Sequence, residues 1–237
     1  MANTFFNFKQ FNINQESCAM KVSTDSCLFG AWTAAHLKDE SNILDIGAGT
    51  GLLSLMLAQK NNGSFDSVEI EPTCFKQLKE NILTSPWASR IDPINQDILF
   101  FEPQKKYDLI ISNPPFYEGQ LKSDKKNTNL ARHENGLQLK DLLEKVKLLM
   151  VEAGSFFLLI PNFRKDECIE LAAELALYPK LIADVRQSKN HNYIRTMFCF
   201  INNFSEIIQE EIDIKGYDGK YSERFNSLLK DYYLKIE

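Results

Sequence analysis

Residues 42–59 read NILDIGAGTGLLSLMLAQ, and this stretch decides the fold. NILDI (42–46) is a short, continuously apolar run broken by one acid, as expected of a strand covered on both faces. In DIGAGTG (45–51), Gly47, Gly49 and Gly51 let the backbone turn sharply and approach a bound molecule with no Cβ in the way. LLSLMLAQ (52–59) continues as a helix. Outward from there the alternation repeats. FDSVEI (65–70) predicts a second strand, and Pro72 can open the next helix, which runs to about Leu83. A third strand is expected just before NQDI (95–98), and YDLIIS (107–112) is another. Leu139, Leu142, Leu143, Val146, Leu149 and Met150 recur at helical spacing, followed by the strand GSFFLLIP (154–161). Cys168, Leu171, Ala172 and Leu175 mark one more helix. LIADV (181–185) and TMFCF (196–200) lie close enough to form a terminal antiparallel strand pair. The expected architecture is α/β: a doubly wound, mostly parallel seven-stranded sheet ending in that pair.

The chain has 237 residues, 44% of them hydrophobic and 25% charged, which supplies a real core and excludes a disordered or collagen-like chain. Its formal net charge is −5, so it is no polycation, although a nucleic-acid footprint can be local. The five cysteines (Cys18, Cys27, Cys74, Cys168, Cys199) are far apart, with no CxxC pair. Neither a disulfide framework nor a metal site is expected, and free thiols point to a reducing compartment. MANTFFNFKQFNINQ (1–15) lacks the basic-then-apolar form of a signal peptide, and no apolar run approaches the ~20 residues that span a bilayer. A cytoplasmic protein is the working class. Three parts are expected: an extension (1–41) packing on the cofactor site, the α/β domain (42–204), and a strand and helix tail (205–237) belonging to the same domain.

Three acids follow successive strands. Asp45 closes the first. Glu69, at the end of the second, is placed to accept both hydroxyls of a ribose, though Glu71 falls on the same side of the strand and competes. Asp97 follows the third. A dinucleotide fingerprint would require Gly or Ala at position 52, where Leu52 stands, which counts against a nicotinamide-dependent oxidoreductase. DLIISNPPF (108–116) carries the chemistry. Pro114 and Pro115 cannot continue a strand and hold the backbone at its carboxyl edge, where open α/β sheets bind ligands. There the Asn113 amide oxygen and the Pro114 carbonyl offer two adjacent acceptors, matched to the two N–H bonds of a planar amino group. Phe116 offers a face for stacking a base.

The G-x-G-x-G turn and the NPPF edge resemble the class I methyltransferases, a Rossmann-like superfamily, and within it the amino-methylating branch. That resemblance implies S-adenosylmethionine (SAM) as cofactor and direct attack of an sp² amino nitrogen on its methyl group, with no metal. It also implies that Asp97 meets the adenine of the cofactor, and that Lys21 and Thr24 in KVSTDS (21–26) meet its methionine end. From the residues alone, Thr24 serves equally as the N-cap of a helix holding Cys27 to Ala35. FKQFNINQESCAMKVSTDSCLFGAW (8–32), SPWASRI (85–91), ISNPPFYEG (111–119) and GYDGKYSERFNSLLKDYYL (216–234) narrow the match. Together they resemble the bacterial tRNA-Val (adenine-N6) methyltransferases over nearly the whole chain. The implied substrate is the adenine just 3′ of the anticodon, at tRNA position 37. Phe116, where adenine-modifying members more often carry Tyr, keeps guanine-N2 methylation of ribosomal RNA as an alternative. Release-factor glutamine methylation uses the same NPP geometry and is a second, and an inactive cofactor-binding module a third.

An anticodon loop suits such a site, because its bases are already partly unpaired. Two segments carry local positive charge. In 104–140, seven Lys/Arg face four Asp/Glu, and in 180–195 four face one. Lys122, Lys125, Lys126 and Arg132 form one candidate RNA contact, and Arg186, Lys189 and Arg195 a second. Phe225, Leu228, Leu229 and Tyr232 share a helical face expected to dock on the core.

Overall fold

NILDI and YDLIIS become neighbouring parallel strands at the centre of one sheet. In the computed structural model of the chain, residues 3–115 and 137–235 are described. The strands are β1 (Phe5–Asn7), β2 (Asn12–Asn14), β3 (Asn42–Ile46), β4 (Ser64–Glu69), β5 (Ile91–Asn95) and β6 (Tyr107–Ser112). They continue with β7 (Met150–Pro161), β8 (Tyr178–Arg186), β9 (Tyr193–Ile201) and β10 (Ile208–Asp213). The described helices are α1 (Thr24–Ala34), α2 (Leu52–Ala58), α3 (Pro72–Leu83), α4 (Leu139–Leu149), α5 (Lys165–Glu174) and α6 (Glu223–Leu229). The main sheet runs β10-β8-β9-β7-β6-β3-β4-β5, with β9 antiparallel to β7 and β8 and every other neighbouring pair parallel. It has eight strands rather than the expected seven. β10, the strand expected in the tail, joins this sheet as its edge by lying parallel to β8, a placement that its polar alternation (IQEEID) does not signal.

Alternation explains the continuous apolar runs. Leu109 and Ile111 pack with α1, α2, α3 and α6 on one face of the sheet, while Ile110 packs with α4 and α5 on the other. Each strand therefore serves two cores. The tail docks as its pattern requires: Phe225, Leu229 and Tyr232 are buried in the first core, and the Tyr232 hydroxyl donates to the Met56 carbonyl.

The thiol expectation is corrected. The hairpin of β1 and β2 crosses α3, and the chain leaving it brings Cys18 to Cys74, with which it forms a disulfide. The partners are 56 residues apart, so only the tertiary path of the extension brings them together. Cys27, Cys168 and Cys199 are free and buried, and burial pushes each thiol up to about 12. Protein denatured without reductant should therefore expose three alkylatable cysteines, and with reductant five, by intact-mass counting. Five without reductant would remove the disulfide.

Candidate active site

The glycine turn follows β3 directly. Gly47 and Ala48 donate to the Val68 carbonyl, tying the turn to the end of β4. Gly47, Gly49 and Gly51 all have positive φ (70°, 56° and 85°), a conformation that side chains with a Cβ rarely adopt. A Cβ at Gly47 would meet nothing within 4 Å, and one at Gly49 only the Gly47 carbonyl at 3.9 Å. The turn is thus open at Gly47 and Gly49, whereas a Cβ at Gly51 would meet the Leu78 side chain at 2.8 Å, so that glycine faces α3 and not a ligand.

The acids sort themselves by their partners. Glu69 is buried and bridges two backbone donors, Gly49 N at 2.8 Å and Glu71 N at 2.8 Å. Glu71, its competitor in the sequence, is the N-cap of α3 and accepts from Thr73 N and Cys74 N, which lower its pKa. Glu69 therefore belongs to the glycine turn and Glu71 to the helix. Asp97 lies just past β5, beside β4 in the sheet, and accepts from Leu99 N. Asp45 is fully buried, and its Oδ2 accepts from Ser54 N (3.1 Å) and Ser54 Oγ (2.6 Å). Its Oδ1 has no hydrogen-bond partner among the described residues. Desolvation raises the Asp45 pKa to about 6, the Ser54 hydrogen bonds oppose it, and Glu69 adds to it.

That orphaned oxygen and the open glycine turn fit a cationic, ribose-bearing cofactor. Asp45, Gly47, Gly49, Glu69 and Asp97 would hold it. An acid whose pKa is raised on folding loses stability as it ionises, at about 1.4 kcal/mol per pH unit. With its pKa raised from 3.8 to about 6, ionised Asp45 destabilises the fold at neutral pH. The penalty lifts as pH falls from about 6 toward 3.8. Binding of a cation works in the opposite direction. SAM affinity by calorimetry should therefore weaken below about pH 6, as Asp45 takes up a proton. Asp45→Asn should bind more weakly and without that slope, whereas a flat wild-type profile would separate Asp45 from the cofactor.

Asn113, Pro114 and Pro115 follow β6, whose last residue, Ser112, donates to the Ile46 carbonyl. Pro114 is buried and Asn113 half-buried. All three line a cleft of about 380 Å³ whose other walls include Met20, Lys21, Asp25, Pro161 and Arg195. Lys21 also donates to the Gln15 and Glu16 carbonyls, so it closes the loop before α1 as well as facing the cleft. Thr24 is not the cap of α1. Ser23 is, in a reciprocal arrangement with Ser26, and Thr24 is the first helical residue, with its side chain exposed.

The basic residues part company. Arg186 is engaged by Asp213 (2.6 Å) and Glu211 (2.9 Å) and donates to the Tyr193 hydroxyl, so its charge is answered within the fold. Arg195 pairs with Asp25 at 2.9 Å on the wall of the Asn113 cleft. Lys189 is exposed. Phe116, Lys122, Lys125, Lys126 and Arg132 lie outside the described residues. Sequence reasoning missed Asn81, which exchanges hydrogen bonds with the Asn14 backbone and donates to the Thr50 carbonyl. It fastens the extension to the glycine turn. A polar residue on the buried stripe of α3 was the available signal.

This fold, glycine turn and NPP edge define a SAM-dependent class I methyltransferase. Residues 30–154 match the methyltransferase small domain family. Among solved structures, the chain superimposes on a predicted O-methyltransferase from Agrobacterium tumefaciens. The TM-score is 0.68 at 14% identity, covering 86% of this chain and 95% of that one. The glycopeptide N-methyltransferase MtfA complexed with S-adenosyl-L-homocysteine gives a TM-score of 0.57 at 9% identity, over 78% and 89% of the two chains. These likenesses concern the fold alone. The tRNA1(Val) (adenine(37)-N6)-methyltransferase of Bacteroides thetaiotaomicron is 37% identical over the full length of both chains. The chain belongs to that family of tRNA methyltransferases.

Proposed function

We propose that the enzyme transfers the methyl group of SAM to the exocyclic N6 of adenine 37 in the anticodon loop of tRNA-Val. The observation that carries this reading is the Asn113-Pro114-Pro115 segment, held at the carboxyl edge of β6 on a cleft beside the glycine turn. The full-length likeness to tRNA1(Val) enzymes supports the choice of acceptor. Bound SAM supplies an electrophilic methyl group on sulfur. The Asn113 amide oxygen and the Pro114 carbonyl accept the two N–H bonds of the adenine amino group and hold its nitrogen in line. As the new C–N bond forms and the methyl's bond to sulfur breaks, its electron pair leaving with the neutral thioether, positive charge grows on that nitrogen, and the same two oxygens stabilise it. The proton then leaves to water. The two prolines keep these acceptors from relaxing away. Glu69 serves the ribose of SAM and Asp97 its adenine.

Residues 1–41 act as an extension that completes the site rather than as a separate unit. Met20, Lys21 and Asp25 line the Asn113 cleft, which supports this division. Action on tRNA implies a cytoplasmic protein, and among the described residues no helix is long and apolar enough to cross a membrane. The test is methyl transfer from labelled SAM to an unmodified tRNA-Val transcript, read by nucleoside mass spectrometry. N6-methyladenosine in the anticodon loop is expected. Methylguanosine would overturn the base, and no incorporation would overturn the substrate.

A further inference from the structure

The sheet's directions bring a second feature to the edge that carries Asn113. β8 and β10 run parallel to β7 and β6, so their carboxyl ends emerge on the same side, together with the amino end of β9. Two turns leave that edge, residues 187–192 between β8 and β9, and residues 214–221 after β10. They are zipped at the base, with Ile214 N donating to the Arg186 carbonyl at 3.0 Å and Lys215 N to that of Gln187 at 2.9 Å. The second turn closes on itself through Gly216 N to the Lys220 carbonyl, and Gly219, at φ 77°, allows the reversal. The Arg186 ion pairs with Asp213 and Glu211 stiffen the floor below both.

Between the turns lies a cavity of about 360 Å³ lined by Gln187, Ser188, Asn190, His191, Lys215 and Tyr217. Tyr217 is 81% exposed, and the Lys189 ammonium sits 5.8 Å from its ring centroid. The His191 Nδ1 is 2.8 Å from the Ser188 hydroxyl, which orients the imidazole. An exposed aromatic ring, two side-chain amides and the Lys215 ammonium in the cavity, with the Lys189 ammonium over the same ring, match the three parts of a nucleotide. The base can stack on Tyr217, its edge can meet Gln187 and Asn190, and Lys189 and Lys215 can take the phosphate. The local charge suits the same ligand. Lys189, Lys215 and Lys220 face only Asp218 there, in a chain whose net charge is −5.

We propose that this cavity binds a second nucleotide of the RNA substrate, in the single-stranded stretch flanking the methylated base. Three strand spacings separate the ends of β6 and β8, so the two sites lie about 15 Å apart along one edge. The proposal rests on the tRNA reading above. It goes beyond it by assigning a substrate-docking role to Tyr217 and the turn at 214–221, at a distance from the reacting atoms.

The test is steady-state methylation of unmodified tRNA-Val transcript by wild type, Tyr217→Ala, Tyr217→Phe and Lys189→Ala, with thermal melting of each. For Tyr217→Ala the expected result is a KM for tRNA raised about tenfold, from loss of one stacked base. The rate at saturating tRNA and the KM for SAM should stay within twofold, and Tyr217→Phe should restore the wild-type KM. Lys189→Ala should flatten the slope of log affinity against log salt by about 0.7, one phosphate contact on a single strand. A KM for tRNA within twofold of wild type in a folded Tyr217→Ala protein would overturn the proposal. So would a loss confined to the saturated rate. Absence of tRNA methylation by the wild type would instead overturn the reading on which it rests.

Discussion

Asn113→Ala should lower methyl transfer to tRNA at least tenfold, while SAM affinity stays within twofold. In the proposed reaction Asn113 contributes one of two acceptors that hold the amino group and stabilise charge developing on its nitrogen. A tenfold loss corresponds to about 1.4 kcal/mol of transition-state stabilisation, a modest demand on one well-placed acceptor. The fold should tolerate the change, because Asn113 is half-buried and lines an open cleft, whereas its neighbour Pro114 is buried. The informative quantity is the split. Single-turnover rates at saturating SAM and tRNA should fall, and calorimetric SAM binding should not. Equal loss of both would mean that Asn113 serves the cofactor rather than the acceptor base.

Glu69→Ala should give the reverse split, with SAM binding weakened about a hundredfold and the saturated rate much less affected. Hydrogen bonds to a charged group are worth about 1.5–3 kcal/mol each, and in the proposed binding mode the ribose offers two hydroxyls to this carboxylate. The substitution also removes the acceptor for Gly49 N, so the glycine turn loses one of its links to the end of β4 and keeps those of Gly47 N and Ala48 N to the Val68 carbonyl. Glu71→Ala is the control. That residue caps α3 through Thr73 N and Cys74 N, so the melting temperature should drop while SAM affinity holds. If Glu71→Ala weakened SAM and Glu69→Ala did not, the assignment of the two acids would be reversed.

These residues differ in how far the sequence could place them. NILDI and YDLIIS match their strands to the residue, because each is apolar enough to be buried on both faces and each is followed by residues that stop a strand, Gly47 in one case and Asn113-Pro114 in the other. β7 instead begins at Met150, four residues before the expected Gly154, since the chain passes from α4 into the strand with no turn signal between them. A strand was expected in the tail, but that the polar β10 joins the main sheet was not legible, as an edge strand buries too little to show a pattern. The choice between Glu69 and Glu71 was equally closed to sequence. The two alternate onto one side of the strand, and only the hydrogen bonds to Gly49 and Thr73 separate them.

By itself the sequence determined the sheet's parallel centre, the glycine turn, the NPP edge and the order of the acids. Each depends on residues within one element or its immediate turn, where periodicity and backbone geometry act locally. Tertiary structure alone decided three things. It brought Cys18 to Cys74, it answered Arg186 with Asp213 and Glu211 and Arg195 with Asp25, and it set Tyr217 beside Lys189 on the catalytic edge. Those partners lie on different strands, helices or turns. Their meeting depends on strand order and on the path of the extension, and neither leaves a trace in local pattern.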